Sequence, residues 1–337
     1  MNQIKRLAIV KLSAMGDIIH SMVALQFIKN NYPDILIDWF VEESFAQVLE
    51  NNPHINNIYK VNLKSIKKNK LEIFNQIKLI KNYSKNSYDL VIDAQGLIKS
   101  AIVSKLLGKN VAGFDKNSIR EKCASTFYNK KVSIAYDENT IDRNVKVLSD
   151  PLGFDIRSKM ILEKEPFLFY KDEDPIIYDF LDDKKKNILF VIGASWQSKI
   201  YPKEKFAKII DNLDENCLIV WGSDSEKNNA SFISNISKGK VLPKLDLNSL
   251  KALVSRCDLI VGNDTGPTHM AWALNIPSIT LFGNTPGYRN TYQTNINKVI
   301  ESSSDVNPLK LNREDFSIID IDEQKIINMV KRLLNEA

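Results

Sequence analysis

The stretch from Cys257 to Leu274 constrains the fold most. An apolar run, Leu259-Ile260-Val261, stops at Gly262-Asn263-Asp264-Thr265-Gly266-Pro267, and a helical pattern through Thr268, His269, Met270 and Trp272 follows. Apolar residues bounded by Gly262 predict a buried strand, Pro267 suits the first turn of a helix, and Thr265 and Gly266 leave amides free at its start. Free amides and the helix dipole both favour an anion there, and the hydroxyls of Thr265 and Thr268 are possible extra donors. A junction of the same kind lies near the other end of the chain: a strand over Arg6–Leu12, a loop Ser13-Ala14-Met15-Gly16-Asp17, then helical spacing from Ile18 to Leu25. Asp17 stands where that helix begins. It is either an N-cap or a carboxylate aimed outward at the carboxyl ends of parallel strands, where open α/β sheets hold their ligands.

Strand-like runs alternate with helical patterns between and around the two junctions, the signature of parallel sheets covered on both faces. The first half predicts strands near 6–12, 35–41, 88–93 and 110–113, with helices near 18–30, 72–85, 97–107 and 140–149. The second predicts strands near 188–193, 217–221, 257–262 and 277–282, with helices near 203–212, 225–236, 247–255 and 267–274. The charge-dense stretch 163–186, with Pro166 and Pro175, joins the halves. The expected organisation is a first Rossmann-like domain over 1–165, a second over 166–322, and a cleft between them. A terminal helix over 323–337 has Ile326, Ile327, Val330, Leu333 and Leu334 on one face and is expected to pack back on the first domain.

The 337 residues are enough for two such domains, and a 44% hydrophobic share suits globular cores. No apolar run is long enough to cross a bilayer and the start of the chain lacks a signal-peptide core, so a cytoplasmic protein is expected. Three scattered cysteines (Cys123, Cys217, Cys257) and three histidines (His20, His54, His269) predict neither a disulfide framework nor a metal site. The acidic triplet Asp172-Glu173-Asp174 reads as a solvated charge run. Net charge is only +5, but residues 60–85 hold eight lysines (60, 64, 67, 68, 70, 78, 81, 85) against one acid, Glu72. Such a face is either solvated surface or a patch for a polyanion; nucleic acid is not expected, since no recognised binding module accompanies it.

Neither loop is a dinucleotide fingerprint or a P-loop. Taken together, Ile9-Val10-Lys11-Leu12-Ser13-Ala14-Met15-Gly16-Asp17-Ile18-Ile19-His20, Asp93-Ala94-Gln95-Gly96-Leu97, Lys199 before Tyr201-Pro202, Trp221-Gly222 with Glu226, Leu242-Pro243-Lys244, and Asp264-Thr265-Gly266 with His269 resemble the lipopolysaccharide heptosyltransferases. The Ser-x-Met-Gly-Asp and Asp-Ala-Gln-Gly-Leu segments are more similar to the type I enzymes than to heptosyltransferase II. The likeness implies a GT-B fold, two Rossmann-like parallel-sheet domains facing each other across a cleft. It also implies inverting, metal-independent transfer of L-glycero-D-manno-heptose from ADP-heptose to the Kdo of Kdo-lipid A, with no cofactor, at the cytoplasmic face of the inner membrane.

Residue by residue, the resemblance implies that Asp17 is the base and that Lys199 meets the diphosphate. It assigns donor contacts to Ser195, Glu226 (the adenosine ribose), Leu245, Asp264 (the heptose), Thr265, Gly266 and His269. Acceptor contacts fall to Ser13, Lys64, Lys67, Lys68, Arg120 and Arg143. Ala194 and Leu245 depart from the pattern, standing where a threonine near the phosphates and a methionine beside adenine are expected; Ser195 retains one hydroxyl. Two other readings stay open on the residues alone: another inverting GT-B enzyme, or a non-catalytic nucleotide-sugar-binding protein.

Overall fold

The apolar runs become strands buried on both faces, which is why they read as continuous hydrophobic stretches rather than as alternations. In the computed structural model, which describes residues 4–336, they assemble into two compact units that divide between Phe167 and Leu168, two residues beyond the expected boundary.

The first unit runs β1 (Arg6–Val10), α1 (Met15–Met22), α2 (Ala24–Asn31), β2 (Leu36–Glu42), α3 (Ala46–Leu49), β3 (Asn57–Val61), α4 (Glu72–Tyr83), β4 (Leu90–Asp93), α5 (Ile98–Leu107), β5 (Val111–Phe114), β6 (Lys130–Val132), α6 (Thr140–Ser149) and α7 (Ser158–Leu162). Its strands form one parallel sheet in the order β3-β2-β1-β4-β5-β6. The connections after β3 and β4 both advance toward β6, so right-handed crossovers put α4 and α5 on one face, where they pack together. The connection after β1 runs the other way, and α1 and α2 pack with α6.

The second unit runs β7 (Asn187–Val191), α8 (Lys203–Asp211), β8 (Asn216–Val220), α9 (Asp224–Asn235), β9 (Lys240–Val241), α10 (Leu247–Val254), β10 (Leu259–Asn263), α11 (Gly266–Ala273), β11 (Ser278–Phe282), α12 (Gly287–Asn290), β12 (Asn297–Glu301) and α13 (Glu323–Glu336). Its sheet is also parallel, in the order β12-β11-β10-β7-β8-β9. In each sheet the connections reverse direction beside a central strand, between β1 and β4 in the first and between β10 and β7 in the second. Such switch points open a crevice at the carboxyl ends of the strands, and both junctions identified from sequence sit there.

Three expectations need correction. Each sheet has six strands rather than four. The helix expected from Ile18 starts at Met15 and divides at Val23 into α1 and α2, so Asp17 occupies its first turn instead of preceding it. The terminal helix packs against α8, β10 and β11, and its Ile326, Ile327, Val330 and Leu333 complete the second unit's core. With a stripe of that width already covered, the helix belongs to the second unit and not to the first. Ala337, the end of the expected helix, lies outside the described residues.

Candidate active site

At the carboxyl edge of the first sheet, the β1–α1 loop is held from beneath. Leu12 and Ser13 N–H both donate to Gln95 Oε1 at 3.0 Å, and the buried Lys11 ammonium donates to Ala94 O at 2.8 Å and Asn144 Oδ1 at 3.0 Å. Burial pushes the Lys11 pKa down, against the attraction of Asp17 and Asp93. Gln95 follows a tight turn: Asp93 Oδ1 accepts from the N–H of Gln95 and Gly96, and Gly96 takes a φ of +71° that a residue with a Cβ rarely adopts. The other oxygen of Asp93 accepts from Tyr128 OH at 2.7 Å and Ser100 Oγ at 2.9 Å; burial raises its pKa against these hydrogen bonds.

On this base Asp17 is half-buried, and its Oδ2 accepts one backbone N–H, that of Ala14, at 3.2 Å. The contact is half of a capping box, made from the third helical position. It ties one oxygen to the loop and places the carboxylate in the first turn of α1.

At the edge of the second sheet, the carboxylate after β10 is held quite differently. Asp264 Oδ2 accepts from Lys199 Nζ at 2.5 Å, Thr285 Oγ1 at 2.9 Å and Asn290 Nδ2 at 3.2 Å, while Oδ1 lies 3.0 Å from His269 Nε2. Burial alone would raise the Asp264 pKa; the ammonium of Lys199 and the contacts with His269 instead hold it far below the usual carboxylate range. Lys199, in the loop after β7, also lies over the Trp196 ring at 5.0 Å. Asn263 ties the two loops together, donating to Ile192 O at 2.8 Å and accepting from Tyr201 N–H at 3.1 Å. Thr265 is the N-cap of α11 and makes no side-chain capping bond. The Thr268 hydroxyl, expected as an outward donor, turns inward to Asn263 O at 2.8 Å.

Glu226 lies in the first turn of α9, after β8. Its Oε2 accepts from Gly222 N–H at 2.7 Å and Ser223 N–H at 3.2 Å, completing a capping box with the Ser223 hydroxyl. A Cβ on Gly193 would stand 2.0 Å from Glu226 Oε1, so only glycine lets this carboxylate approach the β7 loop. Ser195 is exposed in that loop, and Leu245 is half-buried after β9. The second edge therefore gathers Ser195, Lys199, Glu226, Leu245, Asp264, Thr265, Gly266 and His269 on loops at the carboxyl ends of β7, β8, β9 and β10.

The first edge gathers fewer of its expected residues. Ser13 is half-buried in the β1–α1 loop; Lys64, Lys67, Lys68 and Arg120 are exposed, with Lys64 3.1 Å from Ser44 Oγ and 4.6 Å from the Phe45 ring centre. Arg143 departs from its expected acceptor role. It is buried, donates to Ser118 O, Ala135 O and Ile134 O, and stacks on Phe114 and Tyr136, so its donors brace loops within the unit. Lys11, Asn144, Thr285 and Asn290 were not identifiable from sequence, because their contacts join segments from 21 to 133 residues apart. Glu42, at the end of β2, is buried with Oε1 unpartnered; burial raises its pKa against the pull of Lys99 and Lys64. Among the described residues no cluster of three or more His, Cys, Asp or Glu side chains could hold a metal ion, and no helix is long and apolar enough to cross a membrane.

Paired Rossmann-like parallel sheets with polar loops at the carboxyl edge of each define a GT-B architecture. The chain belongs to glycosyltransferase family 9, the heptosyltransferases, whose profile matches residues 76–313. It is 41% identical to "Lipopolysaccharide heptosyltransferase 1" of Campylobacter coli, over 98% of this chain and 99% of that one. Among solved structures it is similar to the E. coli heptosyltransferase WaaC with ADP, at a TM-score of 0.78 and 25% identity, over 97% of this chain and 99% of that one. The same E. coli protein with ADP-2-deoxy-2-fluoro heptose matches at 0.75 and 26%, over 98% and 99%.

Proposed function

We propose that this chain transfers L-glycero-D-manno-heptose from ADP-heptose to the Kdo of Kdo-lipid A, with inversion, in building the inner core of lipopolysaccharide. The observation that carries the reading is the 41% identity, over nearly the full length of both chains, to a lipopolysaccharide heptosyltransferase 1. The residue roles follow from the resemblance to the family, adjusted where the contacts at each edge leave no room for them. Asp17 takes the proton of the acceptor hydroxyl as that oxygen bonds to the anomeric carbon; the bond to the diphosphate breaks and its electron pair leaves with ADP. Lys199 and the amides at Thr265 and Gly266 offset the charge that develops on the diphosphate. Glu226 accepts from the ribose hydroxyls, Leu245 packs beside adenine, and Ser195 adds a hydroxyl near the phosphates. With four donors already on it, Asp264 serves to hold Lys199, His269 orients Asp264, and neither is assigned to the sugar. Ser13, Lys64, Lys67, Lys68 and Arg120 bind the anionic acceptor, and that lipid acceptor brings the enzyme to the cytoplasmic face of the inner membrane. ADP-heptose is the donor substrate, and no cofactor enters the scheme.

The test is a mass-spectrometric assay with ADP-heptose and Kdo-lipid A, in which the acceptor gains one heptose. Transfer from a UDP-sugar instead would point to a different GT-B enzyme. Tight ADP-heptose binding with no transfer would overturn the assignment in favour of a non-catalytic binding protein.

A further inference from the structure

The outer surface of α4 and α5 has a composition that the transfer chemistry does not use. Exposed positions from the N-cap of α4 onward recur as Leu71, Phe74, Lys78 and Lys81, spaced three and four residues apart, so they form one stripe with its apolar part at the amino-terminal end. Leu71 is 68% exposed and Phe74 67%, unusual for large apolar side chains on a helix of a water-facing domain. The neighbouring helix repeats the arrangement: Ile98 (41% exposed) and Ile102 (43%) lie one turn apart, with Lys99 beside them and Lys105 a turn further on. Lys67, Lys68 and Lys70, all exposed, precede α4, and α5 contains no acid.

Both helices follow strands of one parallel sheet on the same face, so their apolar beginnings lie at the carboxyl edge of that sheet, the edge that carries Asp17. We propose that this two-helix surface is the membrane-docking face: Leu71, Phe74, Ile98 and Ile102 enter the headgroup layer of an anionic bilayer while the lysines meet its phosphates. The inference deepens the functional reading above and rests on it for the lipid-linked acceptor. Charge complementarity selects the occupant, since eight lysines over residues 60–85 against one acid of that segment, Glu72, together with Lys99 and Lys105 on α5 and Glu121 beside the Ile98 N–H, leave a net positive surface that favours a negative one and disfavours a second copy of the same band. The apolar residues at the rim set the depth of docking, so that a sugar attached to a lipid reaches the base without leaving the bilayer surface.

The test compares sedimentation of the full chain with vesicles of phosphatidylcholine alone and with vesicles of equimolar phosphatidylcholine and phosphatidylglycerol. Wild type is expected to pellet with the mixed vesicles and to stay in solution with the neutral ones. The pairs Leu71→Ser with Phe74→Ser, and Lys78→Glu with Lys81→Glu, should each lower binding to the mixed vesicles by about tenfold or more. Both pairs should keep the wild-type rate of heptose transfer to a deacylated, water-soluble Kdo acceptor, which also shows that they fold. Equal binding by wild type and both variants overturns the proposal, as does wild-type binding that is absent or identical on the two vesicle types. A dimer formed without vesicles and abolished by the serine pair would overturn it in favour of a self-contact. If wild type fails to modify the soluble acceptor, the functional reading fails, while the vesicle result still decides whether this face binds lipid.

Discussion

Asp17 and Asp264 each follow a central strand of a parallel sheet, yet the two carboxylates are held in opposite ways. Asp17 is half-buried with one backbone N–H on it, whereas Asp264 is 7% exposed and ringed by Lys199, His269, Thr285 and Asn290. A group that must take up a proton needs an accessible oxygen and a modest set of partners. A group that positions a cation needs the reverse, and its four donors keep it ionised. Position in the fold alone therefore does not assign the chemistry; the number and kind of partners around each carboxylate do.

The difference can be broken most sharply at Asp17. Asp17→Asn should lower kcat by about 10²- to 10⁴-fold, the usual worth of a general base, while ADP affinity measured by titration calorimetry stays at wild type. Near-normal turnover would remove the base from the scheme. Asp264→Ala should act mainly on stability: it leaves Lys199, only 12% exposed, without its anion, which costs about 3–5 kcal/mol and shows as a lower Tm by calorimetry. If Asp264→Ala melts like wild type, the cluster is not holding the site.

Smaller effects sharpen the contrast. Gly193→Ala forces Glu226 off its cap, so a loss of about 1 kcal/mol in stability is expected, with weaker ADP binding by calorimetry. Glu323 is a control for exposure. Its own backbone N–H, then the ammoniums of Lys208 and Lys205 against the opposing effect of burial, take its pKa down to about 2, but its side chain is 25% exposed. Because the folded pKa is depressed, its contribution is fully present above the ordinary 4.5 and is lost as pH falls toward about 2. Glu323→Gln should therefore cost no more than about 0.5 kcal/mol at neutral pH after solvent screening, a gap that closes on acidification when unfolding is followed at successive pH values.

How much of this was legible in the sequence depended on where each strand lies. The eight strands expected from apolar runs are the inner ones, while β3, β6, β9 and β12, which the runs did not mark, are the four sheet edges. Edge strands pair on one side only and need less burial. Each here carries lysine (Lys60, Lys130 and Lys131, Lys240, Lys298), a charge that discourages pairing with another chain and dilutes the hydrophobic signal. The site divides in a similar way. Asp17, Asp264 and Thr265 stood out because an apolar run ended beside them. Thr285 and Asn290 did not, because they reach Asp264 from the far side of β11, and Arg143 looked like a surface cation because the carbonyls that absorb its donors lie in loops of no distinctive sequence.

The pairing of Lys199 with Asp264 has a consequence for turnover. An ammonium with a resident counter-ion is already stripped of most of its water and already aimed, so an arriving diphosphate does not have to order it. If Lys199 meets the diphosphate as proposed, the same carboxylate would take the full charge back when the nucleotide departs, with no bare cation left behind to cling to the product. In the proposed scheme, a fixed internal anion of this kind would let one lysine grip the charged leaving group and still let it go.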